Sequence, residues 1–165
     1  MGDTIAYRVE DLKNYVVRFF KKLGVPEIDA VIAADVLVSA DLRGVSSHGV
    51  IRLHTYYGDR LRKQLIDPVS PLKVLRESAA TLALDGSNGL GQAVAYRAMT
   101  YCISKAEEAG IAITTVRNSN HFGIAGYYAM MALPHDMIGI SLTNARALVA
   151  PTFGKTAALG TNPIA

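Results

Sequence analysis

Apolar positions set the order of elements along the chain. Leu12, Tyr15, Val16, Phe19, Phe20 and Leu23 recur at helical spacing, which predicts a helix over about Val9 to Leu23. Gly24 supplies a stop, and Pro26 stands where a new helix can begin. The second predicted helix runs from Pro26 to Leu42. Its Ile28, Val31, Ile32, Leu37 and Val38 are apolar on most sides, with Asp35 as the interrupting acid. A helix of that kind is expected to be covered on more than one side. Gly44 ends it. A third helix is predicted from near Ser47 and carries His48, Arg52, Tyr56 and Leu61, before Pro68 and Pro71 break regular structure.

Beyond the prolines the pattern changes to short strands alternating with helices. Lys73 to Leu75 and Thr81 to Leu84 read as strands, with Asp85-Gly86 as the turn. A helix is expected from Gly91 to Ala109, a strand from Ile111 to Val116, a helix from Gly123 to Leu133 and a strand from Met137 to Leu142. The fold class is therefore α/β, with an N-terminal helical segment feeding a mixed α/β domain. The domain junction is expected near Gln64 to Pro71, giving a helical segment at 1–67 and the first part of an α/β domain at 68–165. The last residues, Ile164-Ala165, lie on an apolar run, so the second domain is expected to be incomplete at its C-terminus.

Composition narrows the function classes. Half of the residues are hydrophobic and 19% are charged, the balance of an ordinary globular protein. A net charge of +3, with no basic run interleaved with aromatics, argues against nucleic acid and is compatible with an anionic small molecule. No apolar run approaches the roughly 18 residues of a membrane span, and the start lacks the basic and apolar regions of a signal peptide. The single cysteine, Cys102, lies in an apolar helical pattern and reads as an inert thiol. These features point to the cytoplasm. No spacing of Cys, His and acids suggests a metal site.

The densest chemistry lies in Asp41-Leu42-Arg43-Gly44-Val45-Ser46-Ser47-His48-Gly49-Val50-Ile51-Arg52-Leu53. On a helix starting near Ser47, His48 and Arg52 would share one face. A histidine can move a proton near neutral pH, and an arginine can clamp a carboxylate with two parallel hydrogen bonds. The pair suggests a site for a small acid whose oxygen gains or loses a proton. A solvated helix face capped by a serine is the alternative. A second histidine, His121, stands in Asn118-Ser119-Asn120-His121-Phe122-Gly123, where a helix N-terminus would lower its pKa. Gly86, Gly89 and Gly91 do not form G-x-G-x-x-G and read as turn and helix-entry residues. His54 and His135 read as surface or packing residues.

Taken with Leu84-Asp85-Gly86-Ser87-Asn88-Gly89-Leu90-Gly91-Gln92, Leu142-Thr143-Asn144, Val149-Ala150-Pro151 and Leu159-Gly160-Thr161-Asn162-Pro163, these stretches resemble one family. It is the malate/L-lactate dehydrogenase family, unrelated to the Rossmann-type lactate and malate dehydrogenases, with ureidoglycolate, sulfolactate and diketogulonate oxidoreductases among its members. The resemblance runs from about Leu12 to the last residue and covers about the first half of such an enzyme. It implies an α/β fold that is not a classical Rossmann fold. It also implies hydride transfer between NAD or NADP and a small 2-hydroxy or 2-oxo acid such as malate or lactate. His48 and His121 are then the catalytic candidates, and Arg52 and Ser47 the substrate-binding ones. Thr143, Asn144, Thr161 and Asn162 are expected beside the nicotinamide. Many relatives carry a serine after the Thr-Asn pair where this chain has Ala145. The resemblance also implies subunits that share the site, and the apolar second helix agrees with a homodimer. Two other readings stay open: a non-catalytic fragment of such an enzyme, and a lyase or isomerase that uses the two histidines without a nicotinamide.

Overall fold

The computed structural model describes residues 6–165. The chain divides into two compact units, Met1–Ile124 and Ala125–Ala165.

In the first unit, α1 (Val9–Lys22) packs against α2 (Glu27–Leu42). Glu10 and Asp11 in the first turn of α1, and Lys21 and Lys22 in its last, complement the helix dipole. Gly24 turns the chain with a φ of +84°, a conformation that a side chain would strain. Alanines at 30, 33 and 34 let α2 approach closely, and they form one core with Val16, Phe20, Leu37, Leu53, Tyr57, Leu61 and Leu90. The other side of α2 packs on α4 (Gly91–Ala109). Buried Asp29 of α2 pairs there with Arg97 of α4. The helix that is apolar on most sides is thus covered from two directions, although Ile28 and Val31 stay 73% and 50% exposed.

Three strands form a mixed sheet in the order β1-β2-β3. β1 (Lys73–Glu77) runs antiparallel to β2 (Thr81–Asp85), with a bulge between Val74 and Arg76. β3 (Ile113–Arg117) runs parallel to β2, and α4 makes the crossover between them. Leu82 and Leu84 alternate inward on β2 and meet Ala98 of α4. Gly110, at φ +79°, ends α4. The described residues thus form a mixed α/β architecture around a three-stranded sheet.

Three expected elements differ. The third helix is not continuous. A 3₁₀ turn at Ser46–His48 is followed by a π-helical segment at Leu53–Gly58 and a short α3 (Asp59–Arg62). In the second unit, α5 (Ala125–Met130) is shorter than its apolar pattern suggests. Pro134, in a 3₁₀ turn at Leu133–His135, has no N–H with which to extend it. Met137 to Leu142 forms no strand. Its pairing is confined to a bridge between Leu142 and Ile164, flanked by reciprocal backbone bonds between Ser141 and Ala165 of 2.8 and 2.9 Å.

Candidate active site

The site in the first unit is built from two segments. The first leaves the C-terminus of α2. The Asp41 carboxylate there accepts the Val50 N–H at 2.8 Å and pins the following loop. Gly49 lies so close to that carboxylate that a β-carbon has no room, and its backbone is extended at φ −90°, ψ −152°. The extended residue breaks the helix that the His48–Arg52 spacing suggested, so the two do not share a face of one helix. They are joined through Ser47 instead. Its hydroxyl lies 2.9 Å from His48 Nδ1, and its carbonyl accepts the Arg52 Nε–H at 2.7 Å. The terminal nitrogens of Arg52 make no hydrogen bond to the described residues, so the fork is free for a ligand.

The π-helical segment then inserts an extra residue per turn, a feature frequent at functional sites. It buries Leu53, Tyr57 and Gly58 and leaves Tyr56 half-buried, with its ring 5.1 Å from that of His121. A β-carbon on Gly58 would meet the Phe19 ring at 2.8 Å, which accounts for glycine there.

The second segment follows β3. The Asn120 amide donates to the carbonyls of Asn88 and Gly89 at 3.0 and 2.9 Å and to Asn88 Oδ1 at 3.1 Å. These bonds fix the backbone that carries His121. Gly91, the first residue of α4, packs against the Asn120 and His121 carbonyls without space for a β-carbon. His121 is thereby laid against His48, with ring centroids 5.4 Å apart and planes 22° from parallel. The Tyr57 hydroxyl lies 2.6 Å from His121 Nδ1, and the Gly123 N–H donates to the same nitrogen at 3.3 Å.

Burial and positive charge dominate the electrostatics. Burial lowers the His121 pKa to about 4, and the nearby His48, Arg52 and Arg60 push in the same direction. The helix N-terminus that the sequence suggested is not the cause, since α5 begins only at Ala125. His48 is also lowered, first by burial and then by Arg52. Burial drives the Tyr57 hydroxyl far above its ordinary range, so it stays protonated. Gln92, fully buried, has its amide beside the Tyr57 oxygen, yet neither its Oε1 nor its Nε2 completes a hydrogen bond to the described residues. Arg60 lies over the Tyr56 ring at 4.0 Å, and Arg52 reaches the same ring at 5.7 Å. Two cations thus face one aromatic ring beside the imidazoles, which suits an anionic ligand.

Thr143, Asn144, Thr161 and Asn162 lie in the second unit on two arms joined by the Leu142–Ile164 bridge. Asn162 Oδ1 accepts the Ala145 N–H at 2.8 Å, and the Thr143 hydroxyl donates to the Asn144 carbonyl at 3.1 Å. Asn144, Thr161 and the Asn162 amide NH₂ face solvent and can offer donors and an acceptor to a carboxamide.

The family model described as malate/L-lactate dehydrogenase matches residues 7–165. The chain belongs to the malate/L-lactate dehydrogenase family. It is 54% identical over 156 residues to the malate dehydrogenase of Pyrococcus abyssi, which covers 94% of this chain and 43% of that protein. It is 48% identical to the L-sulfolactate dehydrogenase of Methanocaldococcus jannaschii, over 94% of this chain and 45% of that protein. The solved malate dehydrogenase of Pyrococcus horikoshii superposes with a TM-score of 0.94 at 52% identity, over 97% of this chain and 46% of the other. The chain spans less than half the length of these relatives.

Within this malate/L-lactate dehydrogenase fold, four residues near the imidazoles escaped the sequence reading as site residues. Tyr56 enters it only as a residue of the third predicted helix and Gln92 only within the Leu84–Gln92 stretch, while Tyr57 and Arg60 carry no motif that singles them out.

Proposed function

We propose that the complete enzyme carrying this chain transfers a hydride between NAD or NADP and a small 2-hydroxy or 2-oxo acid. The supporting observation is the stacked pair His48 and His121, with the free fork of Arg52 held beside them through Ser47. Oxidation of a 2-hydroxy acid removes a hydride from C2 and a proton from its oxygen. Arg52 anchors the carboxylate, Ser47 orients His48, and the two imidazoles flank the C2 oxygen and handle its proton. The nicotinamide, when bound, supplies or accepts the hydride. Asn144, Thr161 and the Asn162 amide would hold its carboxamide, with Thr143 ordering their backbone. Arg60, a second cation near His121, favours an acid with a second negative group, such as malate or sulfolactate, over lactate. A lone cysteine, Cys102, suits a reducing compartment such as the cytoplasm.

The test uses the complete enzyme with NADH and NADPH against oxaloacetate, sulfopyruvate, pyruvate and other 2-oxo acids. Oxidation of the reduced nicotinamide with at least one of them is expected. Arg60→Gln should cost about tenfold more in kcat/KM for oxaloacetate than for pyruvate, the scale of one charged hydrogen bond. No turnover on any 2-oxo acid, with cofactor binding also absent, overturns the oxidoreductase reading and leaves a histidine lyase or isomerase, or a non-catalytic protein.

A further inference from the structure

The two histidines are held by partners of different kinds. His48 Nδ1 meets the Ser47 hydroxyl at 2.9 Å. A hydroxyl can donate or accept, so it accommodates either protonation state of that ring. His121 Nδ1 meets the Tyr57 hydroxyl at 2.6 Å and also the Gly123 backbone N–H at 3.3 Å. A backbone N–H can only donate. A proton on Nδ1 would place two N–H groups head to head, so this nitrogen must present its lone pair. The Tyr57 hydroxyl then donates to it as well. Tyr57 is fully buried in the core cluster, which fixes its hydroxyl in place, and at Gly123, with φ +85°, a β-carbon would meet Val36 Cγ1 at 2.7 Å, so the backbone that carries this amide lies close to α2. The other ring nitrogen, Nε2, makes no hydrogen bond to the described residues. Among the described residues, the titratable and charged groups that face this imidazole are His48, Arg52, Arg60, Tyr56 and Tyr57, and no carboxylate acts on it to stabilise an imidazolium.

We propose that Tyr57 is a positioning residue that, with the Gly123 amide, locks His121 in its neutral Nε2–H form. His121 then acts as an uncharged hydrogen-bond donor to the C2 oxygen of the substrate, while His48 carries the proton. The proposal rests on the oxidoreductase reading above and divides the labour within it. In the oxidation direction the hydroxyl proton passes to His48 Nε2, whose lone pair is free when Nδ1–H donates to Ser47. The hydride leaves C2 for the nicotinamide, and His121 keeps its proton and supports the oxygen throughout. In the reduction direction His48 returns the proton to that oxygen.

The direct measurement is the long-range ¹H–¹⁵N spectrum of the complete protein labelled at histidine and held near neutral pH, with His121→Gln identifying the resonance. His121 should show a protonated Nε2 and a bare Nδ1. An Nδ1–H form, or an imidazolium, overturns the proposal. Tyr57→Phe keeps the ring and removes one of the two donors. It should weaken the tautomer preference and lower kcat by about tenfold or more, with KM nearly unchanged, because the group acts through His121 and not on ground-state binding. A Tyr57→Phe protein that retains both its tautomer and its kcat also overturns it. If the Nε2–H form is seen while no 2-oxo acid is turned over, the functional reading falls and the donor role falls with it; if turnover is present with the Nδ1–H form, only the division of labour fails.

Discussion

Arg52 is tethered through Nε to the Ser47 carbonyl at 2.7 Å and is free at its two terminal nitrogens. A lysine at this position keeps the charge but has no Nε to tether and no planar fork to match a carboxylate. Arg52→Lys should therefore raise the substrate Kd by about tenfold or more, on the order of 1.5–3 kcal/mol for a charged hydrogen bond. His48→Ala should lower turnover by about 10²–10⁴ while cofactor affinity changes little, and titration with NADH separates the two effects. If both variants turn over substrate normally, the chemistry lies elsewhere in the chain. Protonation adds a stability signature. His121 is lowered to about 4 by burial first and by His48, Arg52 and Arg60 second, from an unfolded value of 6.5. His48 is lowered too, by burial and Arg52. The unfolded chain then binds more protons in this range, so stability rises with pH. The contribution of these groups is fully present above about 6.5 and is lost as pH falls toward about 4. Urea midpoints should drop between pH 6.5 and 5, before most carboxylates titrate, and the drop should shrink in His121→Gln. His48, Arg52, Ser47 and His121 could be picked out as candidates because each stands in a short polar motif. Tyr57 could not, because a tyrosine in an apolar stripe reads as core and its partner is 64 positions away.

Helix starts hold the site as firmly as its side chains do. Gly91 opens α4 and packs on the carbonyls of Asn120 and His121, where a β-carbon has no space. Gly91→Ala must push α4 away from the loop that carries His121. A loss of about 1–3 kcal/mol in unfolding free energy is expected, as for other overpacked sites, together with reduced activity in the complete enzyme. Gly126 in α5 has open space around its Cα, so Gly126→Ala should be neutral or slightly stabilising. Equal stability of the two variants in urea unfolding would show that the close contact at Gly91 is tolerated. The same distinction explains which elements the sequence pattern could reveal. α1, α2 and α4 follow from periodicity and flanking glycines, because their signals are local. The segment after Gly44 carries the same helical spacing but breaks at Gly49. The cause is the Asp41 carboxylate from the preceding helix, a contact that no periodicity encodes. The run from Met137 to Leu142 has strand composition, but a strand is defined by its partner, and its pairing is limited to one bridge.

For the molecule as a whole, the mixed α/β class followed from the switch between helical and alternating patterns. The sheet order and the stacking of α2 between α1 and α4 required three-dimensional contacts. One consequence of that stacking remains on the surface. Ile28 and Val31 on α2 and Tyr101 on α4 are 73%, 50% and 51% exposed, and Ile28 and Tyr101 line one shallow groove with Ile32, Tyr96, Arg97 and Thr100. Large apolar side chains grouped in this way lower the free energy of association when a second surface covers them. On this ground we propose that a second copy of the complete protein covers the groove, with α2 and α4 of each subunit facing the other across a two-fold axis. Light scattering of the complete enzyme should give twice the monomer mass. Ile28→Glu combined with Val31→Glu should shift it toward monomer, because burying two unpaired carboxylates in an apolar contact is costly. Circular dichroism unchanged by the double substitution would confirm that only association is affected. A monomer at every concentration would rule out the homodimer, and a dimer indifferent to both charges would place the contact on another face of the molecule.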